Sequence, residues 1–181
     1  AEYLTLWLKE EDNTILEEVF SDWIGTAFHN PYTFDFFMRI KEDCPETVFH
    51  GTDIGHQYGT TGERFLRYLE SRQQQNDPAY QRAQEIIQQG IAYYNGGKQK
   101  DRVYRENMMV ENFVYELKKV QNANIMGIYG SAHTNVAALD STGAIPCMAN
   151  QLKSLYRSNL NTEDLSPLAK EMEPIRVDTI T

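Results

Sequence analysis

The chain has 181 residues, with 26 acidic against 17 basic side chains for a formal charge of −9, and 41% of its residues are hydrophobic. That length suits one domain with its own core, or a domain plus a tail, and the apolar content argues against wholesale disorder. An acidic balance with no basic stripe makes nucleic acid and anionic membranes poor partners, and no apolar run approaches the ~18–20 residues that cross a bilayer.

The chain opens as "AEYLTLWL", already in a helical pattern, with no initiator Met and no signal peptide. A segment upstream is therefore expected to have been lost or left out. The compartment is not legible from this end, with the cytoplasm as the default. Tyr3, Leu4, Trp7 and Leu8 fall at helical spacing, and Ile15, Leu16, Val19, Phe20 and Trp23 repeat the pattern over 13–23. Asn30-Pro31 reads as a break and helix start, followed by Phe34, Phe37 and Met38 on one face, and Cys44-Pro45 ends that helix. "TVFHGTDI", residues 47–54, is β-rich and reads as a strand entering a loop.

Thr61 or Gly62 can cap a helix containing Phe65, Leu66 and Leu69. Asp77-Pro78 starts another, with Ala83, Ile86, Ile87, Ile91 and Tyr94 as its apolar face and Asn95-Gly96-Gly97 as its stop. A polar connection over 97–102 leads to a long helix over about 103–120, striped by Met109, Phe113, Leu117 and Val120. "NIMGIYG", 124–130, is apolar on both alternations and predicts a strand buried on both faces. A short helix over 148–156 follows, and 173–181 ends in a strand-like pattern. Strands separated by helical crossovers imply an α/β fold, a small mostly parallel sheet flanked by helices, over 1–160, with 161–181 as a tail that could add a strand. Cys44 and Cys147 have neither disulfide-framework nor metal-ligand spacing and read as small hydrophobes.

Ligands bind at the carboxyl ends of parallel strands, and polar clusters fall at both expected ends. After the first strand come Asp53 and His56, spaced to face one pocket; the alternative is that Asp53 merely caps its own turn. After the second comes Gly130-Ser131-Ala132-His133. There His133 could act as general acid or base or ligate a metal, or could simply bond a loop carbonyl. His50 reads as part of a strand and His29 as a loop residue. At the start of the long helix, Glu106 suits the helix dipole but Arg105 does not. Arg105 is explained if it pairs with a carboxylate or an anionic substrate group, or if it is a solvated arginine. Phosphate loops, Gly-x-Ser-x-Gly elbows and His-Glu-x-x-His are absent from the sequence.

Arg105-Glu106-Asn107-Met108, Gly130-Ser131-Ala132-His133 and "FHGTDIGHQY", in that spacing, resemble the erythromycin-esterase-like, ChaN-like and Tiki group of α/β proteins. The resemblance spans roughly residues 1–160. A first Gly-x-x-His, which that group carries on an opening strand, is missing here. It implies a lost first strand, whose absence would leave a sheet edge open to self-association. Members are variously macrolide esterases, proposed metal-dependent proteases and haem-binding lipoproteins. The resemblance thus implies a hydrolase of a small-molecule or peptide ester or amide. His133 would activate water, Glu106 or Asp53 would orient it or bind a divalent metal, and Arg105 would stabilise the oxyanion. His56, Tyr58, Tyr104 and Ser131 would contact substrate. The alternatives are a haem- or metal-binding protein, with Tyr58, Tyr104, Tyr129 or a histidine as ligand, or an inactive interaction domain.

Overall fold

A computed structural model describes residues 1–95, 101–120 and 125–165. Its α-helices are α1 (Glu2–Trp7), α2 (Thr14–Asp22), α3 (Pro31–Asp43), α4 (Glu63–Ser71), α5 (Pro78–Asn95), α6 (Arg102–Leu117) and α7 (Met148–Tyr156). Local chemistry sets several of the starts. Asn30 Oδ1 accepts from Thr33 N at 2.9 Å with Pro31 in the first helical position, and Asp77 Oδ1 accepts from Ala79 N at 2.8 Å ahead of Pro78. Asp101 Oδ1 caps α6 by accepting from Tyr104 N at 2.8 Å.

The α/β expectation is overturned: among the described residues there is no strand and no sheet, only an isolated antiparallel bridge between Leu139 and Pro146. The physical reason is visible in how the two β-prone segments use their hydrogen bonds. Phe49 N donates to the Thr5 side chain at 2.9 Å, and Ile54 N donates to the carboxylate of Asp53 at 2.8 Å. The segment over 47–54 therefore spends backbone donors on side chains instead of a neighbouring strand. The described part of the second segment, 125–130, has no regular secondary structure and is not buried: Met126 is 81% and Ile128 61% exposed. With no sheet among the described residues, the self-associating edge expected of one has no basis there. Asn124, the glycines after Asn95, the connection over 97–100 and the strand-like end over 173–181 lie outside the described residues.

The chain divides into two compact units. The first comprises Ala1–Gly51 and Gln57–Ile87; the second comprises Thr52–His56 and the described residues of Gln88–Met172. The first unit has an apolar core of Tyr3, Leu4, Trp7, Leu8, Leu16, Val19, Phe65 and Leu69, with Trp23, Phe34, Phe37 and Phe49 packed against it. Trp7 is fully buried, and its indole N–H is satisfied by Asn13 Oδ1 at 3.1 Å. Cys44 is exposed here.

The second unit is built on α6 and α7. Met109, Met148 and Leu152 form its apolar centre, flanked by Val110, Phe113, Val114 and Tyr156. Of the apolar stripe expected of α6, Met109 is buried and Phe113 packs against it, but the other buried positions of the helix are polar: Glu106, Asn112 and Glu116. Cys147 is fully buried, with its thiol directed at Asn135 O at 3.0 Å. Among the described residues no helix is long and apolar enough to cross a membrane.

Candidate functional site

In the second unit, the loop Thr52–His56 is held by one face of α5 and one face of α6. Gly90 makes the α5 contact possible. A Cβ at Gly90 would lie 2.1 Å from Gly55 O, so no larger residue allows the helix and loop backbones this close. Around that contact, Gln89, Tyr93 and Tyr94 occupy neighbouring positions on the helix surface. Tyr93 meets the His56 ring edge-on, with centroids 6.2 Å apart, and the Tyr94 hydroxyl lies 2.6 Å from His56 Nδ1. Gln89 and Asn112 exchange amide hydrogen bonds of 2.8 and 3.1 Å, and Asn112 Nδ2 reaches Asp53 O at 3.4 Å.

Asp53 is the centre of this arrangement. Its Oδ1 accepts from Ile54 N at 2.8 Å and Arg105 Nε at 3.0 Å, and its Oδ2 accepts from Arg105 Nη2 at 2.6 Å and meets His56 Nε2 at 3.1 Å. Both oxygens thus carry two contacts, which fills the acceptor capacity of a carboxylate. Burial opposes ionisation of Asp53, but the hydrogen bonds and charges of His56 and Arg105 hold its carboxyl well below the usual carboxylate range. Burial likewise opposes the charge on Arg105, and the bidentate pair with Asp53 outweighs it, raising the guanidinium further. The pairing alternative for Arg105 is the one the geometry takes, and it explains a cation in the first turn of a helix.

The next residue of α6 organises a second group. Glu106 is 3% exposed; its Oε2 lies 2.8 Å from His133 Nδ1, and its Oε1 accepts from Met148 N at the start of α7. A carboxylate at that helix start is favoured by the dipole, so Glu106 both ties α6 to α7 and fixes the imidazole. His133 ends a short 3-10 turn, Ser131–His133, and its Nε2 has no hydrogen-bond partner among the described residues. Two acceptor contacts on Glu106 require an acceptor at each oxygen. The ring proton of neutral His133 therefore sits on Nδ1, leaving the Nε2 lone pair open.

The structure joins Asp53, His56 and Arg105 in one network and Glu106 with His133 in another, and successive positions of α6 supply both. Ser131 is exposed on the same turn as His133. Tyr104 faces a different neighbourhood: burial raises its phenol, and its charged neighbours are Glu111 and Asp101. Tyr58 opens a π-turn, Tyr58–Gly62, in the first unit. Tyr129 bonds Thr52 Oγ1 at 2.6 Å, its phenol raised by burial although the Thr52 bond works the other way. No three His, Cys, Asp or Glu side chains converge to hold a metal ion among the described residues, so the metal reading has no donor set there.

Sequence reasoning missed Tyr94, Gln89 and Asn112. Asn112 carried a usable signal, since it falls three residues after Met109 on the inward face of an amphipathic helix, where an amide needs a partner. Tyr94 carried none, because a tyrosine on an apolar face reads as core. No known protein family, curated protein or solved structure matches the chain.

Proposed function

We propose that the second unit is a hydrolytic centre, with His133 as general base and Arg105 as the donor to an oxyanion. The observation that carries this reading is the His133 ring, anchored through Nδ1 by a buried carboxylate with no partner for Nε2 among the described residues. A base with its second nitrogen fixed by an acid is the arrangement that general-base catalysis by histidine needs. Nε2 takes a proton from water as the oxygen attacks a carbonyl carbon, and Glu106 stabilises the imidazolium that results. Of the five N–H donors of a guanidinium, Asp53 engages those on Nε and one on Nη2. The remaining Arg105 donors suit the negative oxygen of the tetrahedral intermediate. His133 then returns its proton to the leaving group. Asp53, with its acceptor capacity filled, serves as the anchor of Arg105 and does not bind water.

The substrate class, an ester or amide, comes from the likeness of the Arg105-Glu106 and Gly130–His133 motifs to the erythromycin-esterase-like group. Hydrolysis of a panel of aryl esters and anilides by the whole chain tests the reading. His133→Ala is expected to lower kcat by about 10²–10⁴ in a chain still folded at the assay temperature, with a lowered thermal melt because the buried Glu106 carboxylate loses a partner. A chain that hydrolyses nothing above buffer, or a His133→Ala variant with full turnover, removes the proposal.

A further inference from the structure

The hydroxyl of Tyr94, the ring of His56 and the carboxylate of Asp53 lie in a row. Tyr94 Oη is 2.6 Å from Nδ1, and Nε2 is 3.1 Å from Asp53 Oδ2. We propose that this row is a second reactive site, in which the Asp53–His56 pair acts as the base that makes the Tyr94 hydroxyl a nucleophile toward activated acyl or sulfonyl groups.

The direction of each hydrogen bond follows from chemistry. Asp53 is ionised and can only accept, so the ring proton of neutral His56 sits on Nε2. Nδ1 is then a bare acceptor, and the hydrogen bond to it must come from the Tyr94 O–H. That is the order acid, imidazole, hydroxyl of a base-assisted nucleophile, reached with the two ring nitrogens exchanged relative to the serine hydrolase arrangement. The surrounding contacts hold the row in place: Tyr93 packs edge-on against the His56 ring, and Gly90 fixes the height of α5 over the loop. His56 differs from His133 in this respect. Both its ring nitrogens are engaged, so it acts on Tyr94 and not on a water of its own.

In the reaction, Tyr94 Oη attacks the electrophilic carbon or sulfur and its proton passes to His56 Nδ1. The imidazolium is held against Asp53. The bond from the electrophilic atom to its leaving group breaks with that pair of electrons, leaving an aryl ester or aryl sulfonate on Tyr94. With an acyl donor the imidazolium can protonate the leaving oxygen, and no oxidant or further reactant is needed.

The chain has eleven tyrosines, which provides an internal rate reference. Benzenesulfonyl fluoride is incubated with the whole chain and the modified tyrosines are located by peptide mass spectrometry over time. Tyr94 is expected to react at least about tenfold faster than Tyr32, which is 54% exposed and not part of any such row. His56→Gln is expected to bring Tyr94 down to the Tyr32 rate, with the Tyr32 rate itself unchanged as the reagent reference and the thermal melt as the check on folding. Tyr94 reacting no faster than Tyr32 in the wild-type chain overturns the proposal, as does a His56→Gln chain that still labels Tyr94 preferentially. Labelling needs no turnover, so it stands or falls separately from hydrolysis by His133.

Discussion

The two units bury different things. The first surrounds Trp7 and Leu16 with other apolar side chains, and its aromatic rings make a continuous set from Phe20 through Trp23 and Phe37 to Phe49. The second has a smaller apolar centre and places Glu106, Asn112, Glu116 and Asp140 out of water. Buried polar groups cost free energy unless each finds partners, and even then they stabilise less than well-packed hydrocarbon. An interior of that kind contributes little to stability for its size. What it does contribute is fixed orientation: a carboxylate aimed at an imidazole, a guanidinium held by two bonds. The first unit reads as scaffold and the second as the one whose polar side chains are fixed in orientation, which is what the proposed chemistry requires.

The largest effect that tests this contrast is at Trp7. Trp7→Ala removes a fully buried ring and orphans the Asn13 contact, which should cost about 3–5 kcal/mol in urea denaturation. A loss below about 1 kcal/mol would mean that the first unit does not depend on its aromatic core. Next in size is the amide pair of the second unit. Asn112→Leu leaves the half-buried Gln89 amide without its reciprocal partner and should cost about 1–3 kcal/mol. Replacing both, Gln89→Met with Asn112→Leu, removes the mismatch and should return to within about 1 kcal/mol of the wild type. A double variant as unstable as the sum of its parts would show the polar interior to be a source of stability, against the contrast drawn above.

The same contrast explains what could be read from the sequence. Helices announce themselves locally. Asn30-Pro31 and Asp77-Pro78 mark starts within a few residues, and the apolar spacing of Leu4, Trp7 and Leu8 needs no knowledge of the rest of the chain. Strands are not local, because a β-prone run becomes one only when another backbone accepts its hydrogen bonds. "TVFHGTDI" has the composition of a strand, yet Phe49 N bonds the Thr5 side chain. Nothing in residues 47–54 could reveal that. "IMGIYG" has a buried strand's composition with Met126 and Ile128 in water. For the candidate site, Asp53, His56, Arg105, Glu106 and His133 stood out because small residues and charges interrupt apolar patterns there. Their pairing, Asp53 with Arg105 and Glu106 with His133, joins positions 52 and 27 residues apart, which a single sequence does not encode visibly. Tyr94 was hidden by its own ring.

The smallest of the expected effects is also the most specific to the second unit. Asp53 has its carboxyl depressed in the folded chain, with Arg105 and His56 as the favourable partners against burial. A group of that kind adds stability that is fully present above the unfolded carboxyl value of about 3.9 and disappears as pH falls through the folded value. Asp53→Asn removes this linkage while keeping the shape of the side chain. At neutral pH the variant should be less stable by about 1–2 kcal/mol, a modest figure because Arg105 and Asp53 keep roughly a quarter to a third of their side-chain surface in water. Urea midpoints for both chains should run parallel from neutral pH down to about pH 5 and converge below about pH 4. Curves that stay parallel into strong acid would mean that the Asp53 carboxylate is not held by Arg105 in solution. The network that fixes His56, Tyr94 and the open edge of Arg105 would then lose its anchor.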